Sequence, residues 1–156
     1  MPYALGRRSL AQLEGVQPLL ASVVHRAIAI TKQDFTVQEG LRSIDTQRLY
    51  VKRGVSKTLA SKHLRQTDGY GHAVDLVPWI NGQPRWEWPL IWEIAQAVDA
   101  AATELKVPLI WGAVWDLRMD QYGGSAAALK AAVEAYKVRH PGPDFLDGPH
   151  YQLALR

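Results

Sequence analysis

Apolar residues fall on one face of a 3.6-residue period along three long stretches of the chain, which predicts three helices. From about Leu10 to Ile30 that face holds Leu13, Val16, Leu20, Val23, Val24, Ala27 and Ile28. From Trp88 to about Leu105 it holds Ile91, Ile94, Ala95, Val98, Ala102 and Leu105, with Pro89 suited to a first helical turn. Between Ser125 and about Val138 the run AAALKAAVEAYKV consists of strong helix formers. A shorter helix is expected to start at Ser43, an N-cap, and to stop at Gly54. Four other segments shorten to alternation or brief apolar runs and are predicted strands: Asp34–Gln38, His72–Val77, Val107–Trp111 and His150–Leu155. In the last, Tyr151, Leu153 and Leu155 share one side, and His150, Gln152 and Ala154 share the other. Helices and strands interleave irregularly, without repeated βαβ units. The expected fold class is α+β, a single domain with a small, largely antiparallel sheet flanked by helices.

Composition narrows the chemistry more than the fold. The chain has 156 residues, 47% apolar and 21% charged, which suits one ordered domain over 1–156. No apolar run approaches the roughly 18 residues of a membrane span, and MPYALGRRSLAQLEG lacks the apolar stretch of a signal peptide. Neither membrane insertion nor a cleaved leader is expected. The net charge of +3 is too mild to argue for a nucleic-acid partner. There is no cysteine, so disulfides, thiol nucleophiles and thiolate metal sites are all excluded. Any metal or proton-transfer chemistry must use the five His and the carboxylates.

Two clusters of such residues precede or enter predicted strands: Ser61-Lys62-His63 with Gly71-His72-Ala73-Val74-Asp75, and Asp147-Gly148-Pro149-His150. Residues an odd number apart on a strand face opposite sides, so His72 and Asp75 should not share a ligand sphere. His63 lies in a loop free to fold back over Asp75, and His150 starts the final strand. Two imidazoles and one carboxylate (His63, Asp75, His150) leave a fourth position open, which is the catalytic arrangement of zinc. Asp147, three residues before His150 in a Gly-Pro turn, is placed to act as a general base. The bland reading of Asp-Gly-Pro is an ordinary turn.

These residues resemble the VanY-like (M15) zinc D-alanyl-D-alanine carboxypeptidase family, and especially its bacteriophage endolysin branch of L-alanyl-D-glutamate endopeptidases. The family's Ser-x-His-x-x-Gly-x-Ala-x-Asp motif corresponds to Ser61, His63, Gly71, Ala73 and Asp75, and its Asp/Glu-x-x-His motif to Asp147 and His150. VQEGLRS, QRLYVKRGVSKT, AVDLVPW and the Pro108–Gly112 segment also resemble the phage branch, so the likeness spans roughly residues 9–155. It implies a Hedgehog/DD-peptidase-like fold, zinc on His63, Asp75 and His150, and Asp147 as catalytic base. It further implies that Arg42 faces the substrate's developing oxyanion and that Ser61 supports the site. Trp79 or Trp115 are candidates to line the peptide groove. One departure is the separation of twelve between His63 and Asp75, where the family has seven. The extra residues fall in Leu64–Tyr70, and His72 is the alternative donor should that loop not bulge away.

The implied activity is zinc-dependent hydrolysis of the peptidoglycan stem peptide between L-Ala and D-Glu. It would be performed by a monomer with no separate wall-binding module, reaching the envelope after holin-type release from the host cytoplasm. The alternatives are a D,D-carboxypeptidase or dipeptidase releasing D-Ala, and a metal-binding relative without activity. An Fe(II) oxygenase would use the same donor types but calls for a jelly-roll strand pattern the chain lacks.

Overall fold

The apolar stripe read from Leu10 to Ile30 is carried by two helices, α1 (Arg7–Leu13) and α2 (Pro18–Ile30). The stripe continues across the break because Val16, between the helices, is itself buried. What breaks the helix is backbone chemistry. Gly15 has φ +82°, a conformation that strongly favours glycine, and Pro18 at the first position of α2 has no N–H to donate backward. The freed groups are used elsewhere: Gly71 N–H donates to the Gly15 carbonyl, and Gln17 N–H donates to that of Gly71, each at 2.9 Å.

The computed structural model describes residues 2–56, 60–142 and 146–154. After α2 come β1 (Phe35–Glu39), α3 (Ile44–Lys52), β2 (Ala73–Ile80), the two-residue β3 (Gln83–Pro84) and α4 (Trp88–Leu105). Then follow β4 (Leu109–Trp111), a 3₁₀ turn at Met119–Gln121, α5 (Ala126–Arg139) and β5 (His150–Leu153). Ser43 and Ser125 cap α3 and α5 by accepting from Thr46 N and Ala128 N. The expected strand end at Leu155 and Thr58 of the QRLYVKRGVSKT segment lie outside the described residues.

All strand pairs are antiparallel, in the order β1-β2-β5-β4, with β3 hairpinned onto β2. The sheet is therefore of the expected kind, although β2 runs three residues past Val77 to Ile80, and β3 was not expected. Val74 and Leu76 of β2, Tyr151 and Leu153 of β5, and Leu109 and Trp111 of β4 join the core cluster with the stripes of α2 and α4. The opposite face of the same strands carries Asp75, His150 and Gln152.

Fully buried Trp111 ties the core to that second face. Its ring stacks on Tyr151 (centroids 6.4 Å apart), meets Trp92 edge-on, and its Nε1–H donates to the Gly148 carbonyl at 2.7 Å. The largest core side chain thus holds the turn that delivers Asp147 and His150.

Candidate metal centre

Asp75 and His150 are direct partners across the β2–β5 pairing, so the pleat sends both side chains to the same face. His63 comes from the loop before β2, which is pinned by its own backbone. Arg42 N–H donates to the His63 carbonyl and His72 N–H to that of Lys62, each at 2.8 Å. Ser61 Oγ accepts from His63 N–H at 3.1 Å, which fixes the start of the turn. The extra residues Leu64–Tyr70 close on themselves: Gly69 N–H donates to Gln66 O, and Gln66 N–H to Tyr70 O. His72 is buried, but its Nε2 lies 2.8 Å from Asp68 Oδ2 inside this loop, away from Asp75.

The ring orientations of the two site histidines are set from behind. His63 Nδ1–H donates to the Gly40 carbonyl at 2.8 Å, and His150 Nε2–H donates to Gln152 Oε1 at 2.9 Å. That leaves His63 Nε2 and His150 Nδ1 carrying lone pairs in the neutral rings. Both nitrogens sit 3.2 Å from the same oxygen, Asp75 Oδ1. Three electron-pair donors within 4.8 Å of one another, with no proton left to share between neutral rings, form an arrangement a cation satisfies. Among the described residues this is the one group of that kind. The local electrostatics agree. When the two rings are protonated instead, burial still opposes ionisation of Asp75, yet hydrogen bonds from His150 and His63 and their charges hold its carboxyl well below the usual range. Burial likewise works against a charged His150, and Asp75 outweighs it, raising the imidazole above its ordinary value. The site favours positive charge beside Asp75.

The group lies in a cleft of about 700 Å³ whose walls include Glu39, Arg42, Tyr50, Ser61, Trp115 and Asp147. Asp147 is held by its backbone, donating N–H to the Gly112 carbonyl at 2.8 Å and accepting from His150 N–H at 3.0 Å. Burial, and then the negative charge of Asp75, push its carboxyl up to about 6, partly offset by His150, His63 and Arg42. Arg42 is clamped: Nε donates to Glu39, Nη1 to Gln47, and its guanidinium lies 4.7 Å from the Tyr50 ring centroid. The Trp115 ring sits 5.0 Å from that of His150. Trp79, the other groove candidate, is not among the cleft walls. It lies on β2 beyond Asp75, paired with Pro84.

Five contributors were not singled out from the sequence. Gln152 was legible, since it stands two residues after His150 on the same strand face. The Gly40 carbonyl, Glu39, Gln47 and Tyr50 were not. A register shift between Val37 and Glu39 in β1 puts Glu39 opposite Asp75, and simple alternation gives no hint of such a bulge. Tyr50 Oη donates to the second oxygen of Glu39 at 3.0 Å.

Gly112 shows how closely the turn is seated. A Cβ there would stand 2.2 Å from the Asp147 carbonyl oxygen and 2.9 Å from the His150 Cβ. Gly112→Ala must push the Asp147–His150 turn off β4. We expect a stability loss of about 1–3 kcal/mol by thermal unfolding, with a larger proportional loss of activity than of folded protein. A Gly112→Ala chain that keeps full turnover would show that the turn tolerates displacement.

A family model described as phage L-alanyl-D-glutamate peptidase matches residues 1–127 of the chain. The L-alanyl-D-glutamate peptidase of Escherichia phage T5 is 31% identical over 126 residues, covering 78% of this chain and 88% of its own length. The crystal structure of Serratia marcescens L-Ala D-Glu endopeptidase ChiX matches with a TM-score of 0.69 at 34% identity, over 95% of this chain and 87% of that chain. The family-matched segment contains Arg42, His63, Asp75 and Trp115; Asp147 and His150 lie C-terminal to it.

Proposed function

The chain belongs to the phage L-alanyl-D-glutamate peptidase family, and from that premise we propose that its cleft hydrolyses the L-Ala–D-Glu bond of the peptidoglycan stem peptide with zinc held by His63, Asp75 and His150. The peptidase activity on peptidoglycan follows from the family; the metal's identity and the residue roles are our reading. The observation that carries it is the convergence of His63 Nε2, His150 Nδ1 and Asp75 Oδ1 on one point of the cleft. Two imidazoles and a carboxylate with an open position match catalytic zinc. When bound there, zinc supplies Lewis-acid polarisation of the scissile carbonyl and acidifies water.

The chain's own groups do the remaining work. Asp147 accepts the proton of the attacking water at a carboxylate whose raised basicity suits the task, then passes it to the departing amine of D-Glu. Arg42 presents a fixed cation toward the oxygen on which negative charge develops. Its clamp by Glu39, Gln47 and the Tyr50 ring means little reorganisation is needed as the charge appears. The Gly40 carbonyl and Gln152 hold the two imidazoles in the tautomers that present lone pairs. Ser61 stabilises the turn carrying His63, and Trp115 forms an apolar wall beside His150.

Mass spectrometry of digested peptidoglycan tests the bond assignment. Fragments with new L-Ala C-termini and new D-Glu N-termini are expected. Release of free D-Ala without such fragments would replace this reading with a D,D-carboxypeptidase.

A further inference from the structure

The mild charge of the whole chain hides a strong segregation. Residues 42–65 contain seven Lys and Arg against one acid, Asp45, a net of +6 within a chain of +3, which leaves −3 for everything else. This segment builds one side of the cleft: Arg42, Tyr50, Val55, Ser61, Lys62 and His63 all line it. Arg48, Lys52, Arg53, Lys62 and Arg65 are exposed, and the 3.6-residue period turns Arg48 and Lys52 to the side of α3 opposite Tyr50, the outer face of the helix that walls the cleft. Arg42 is paired with Glu39 and Lys57 lies outside the described residues; of the other five charges little is neutralised. Arg48 stands 3.7 Å from Asp45 across two highly exposed side chains, a pairing of small worth in water. Arg65 donates to the Gly69 carbonyl, and among the described residues no carboxylate pairs with Lys52, Arg53 or Lys62.

Local helix chemistry explains only part of this. Lys52 in the last turn of α3 complements the helix dipole. Arg48 and Lys52, however, are like charges four residues apart, an arrangement that disfavours the helix carrying them. Charges of one sign beside a cleft raise the local concentration of an oppositely charged substrate and accelerate its capture.

We propose that the outer face of α3, beside the cleft, is a docking surface for the carboxylate-bearing stem peptides that surround the scissile one in the peptidoglycan mesh. The inference rests on the peptidoglycan reading above and extends it: Arg48, Lys52 and Arg53 hold the polymer, and the cleft cuts it. The substrate named by the family contains glutamate, so neighbouring stems offer repeated negative charge at the spacing of the mesh. Exposed Leu49 and Val55 sit among these cations and offer apolar contact to the stem's alanines.

The test is a charge-reversed chain, Arg48→Glu with Lys52→Glu and Arg53→Glu, none of which lines the cleft. A neutral version with Gln at the three positions serves as a milder companion. At low salt, fragment release from intact sacculi should fall about tenfold in the reversed chain and less in the Gln chain. The gap should close in high salt, where exposed charges are screened within a few ångströms. Cleavage of a short soluble stem peptide should be the same in all three chains. Binding is read separately from catalysis: an Asp147→Ala chain should pellet with sacculi, and adding the three reversals should leave it in the supernatant. Pelleting should also be lost when the sacculus carboxylates are amidated. Equal release from sacculi at low salt, or pelleting that survives amidation, overturns the docking surface. Pelleting that needs anionic lipid vesicles instead assigns the charge to a membrane and overturns it as well. A parent chain that pellets as described but cuts neither substrate defeats the functional reading and leaves the docking surface standing.

Discussion

Asp147→Ala should leave the metal in place and the fold intact while peptide hydrolysis slows by about 10²–10⁴-fold, the range typical of removing a positioned general base. That corresponds to about 3–5 kcal/mol of barrier. The separation of the two effects follows from how Asp147 is held. Its backbone N–H and carbonyl bind Gly112 and His150, so deleting the side chain does not loosen the turn that positions His150. The carboxylate is no metal donor in this geometry, and its basicity comes from burial and from the charge of Asp75. Asp147→Asn keeps the volume and loses the proton acceptor, so it should be equally slow. Steady-state hydrolysis with parallel metal analysis decides it: normal turnover in either variant removes Asp147 as the base.

Loss of a ligand should act differently. Asp75→Ala, His63→Ala or His150→Ala should lower bound zinc from about one per chain to near zero, and hydrolysis should fall to background. His72→Ala provides the contrast. Its imidazole pairs with Asp68 in the loop and stays outside the donor group, so metal content and turnover should remain those of the parent. If His72→Ala releases the metal and His63→Ala keeps it, the loop Leu64–Tyr70 folds otherwise in solution. Gln152→Ala should be intermediate, holding metal more weakly because His150 loses the partner that fixes its tautomer.

The parts of this architecture that were legible in the sequence are those where one residue pattern meets one physical demand. Trp88–Leu105 is a helix with the expected ends because its periodic stripe and Pro89 agree. Asp75 and His150 meet because strand parity is rigid and the two strands are neighbours. Where periodicity misled, backbone requirements had overridden it. The single long helix expected over Leu10–Ile30 is divided because Gly15 and Gln17 spend their backbone groups on Gly71. The β3 hairpin was missed although Asn81-Gly82 is a strong two-residue turn signal, because only Gln83 and Pro84 pair behind it. The Arg42 clamp was hidden for a different reason. Glu39 reaches it through a bulge, and Gln47 is a fully buried amide on a helix that leaves the apolar Ile44 and Leu49 exposed. Neither follows from alternation or helical period.

The position of β5 has a consequence for how the molecule comes together. It is the last described strand along the chain and yet an inner one, with β2 on one side and β4 on the other. Its pairing brings together Asp75 and His150 across 75 residues, a contact of long loop closure that forms slowly compared with the helices. Until β5 inserts, β4 has no partner to join it to the rest of the sheet, and the donor group has only His63 and Asp75. Completion of the sheet and assembly of the His63–Asp75–His150 group are therefore one folding event. Binding of a metal would report directly on that event, and a chain caught before it carries no competent site.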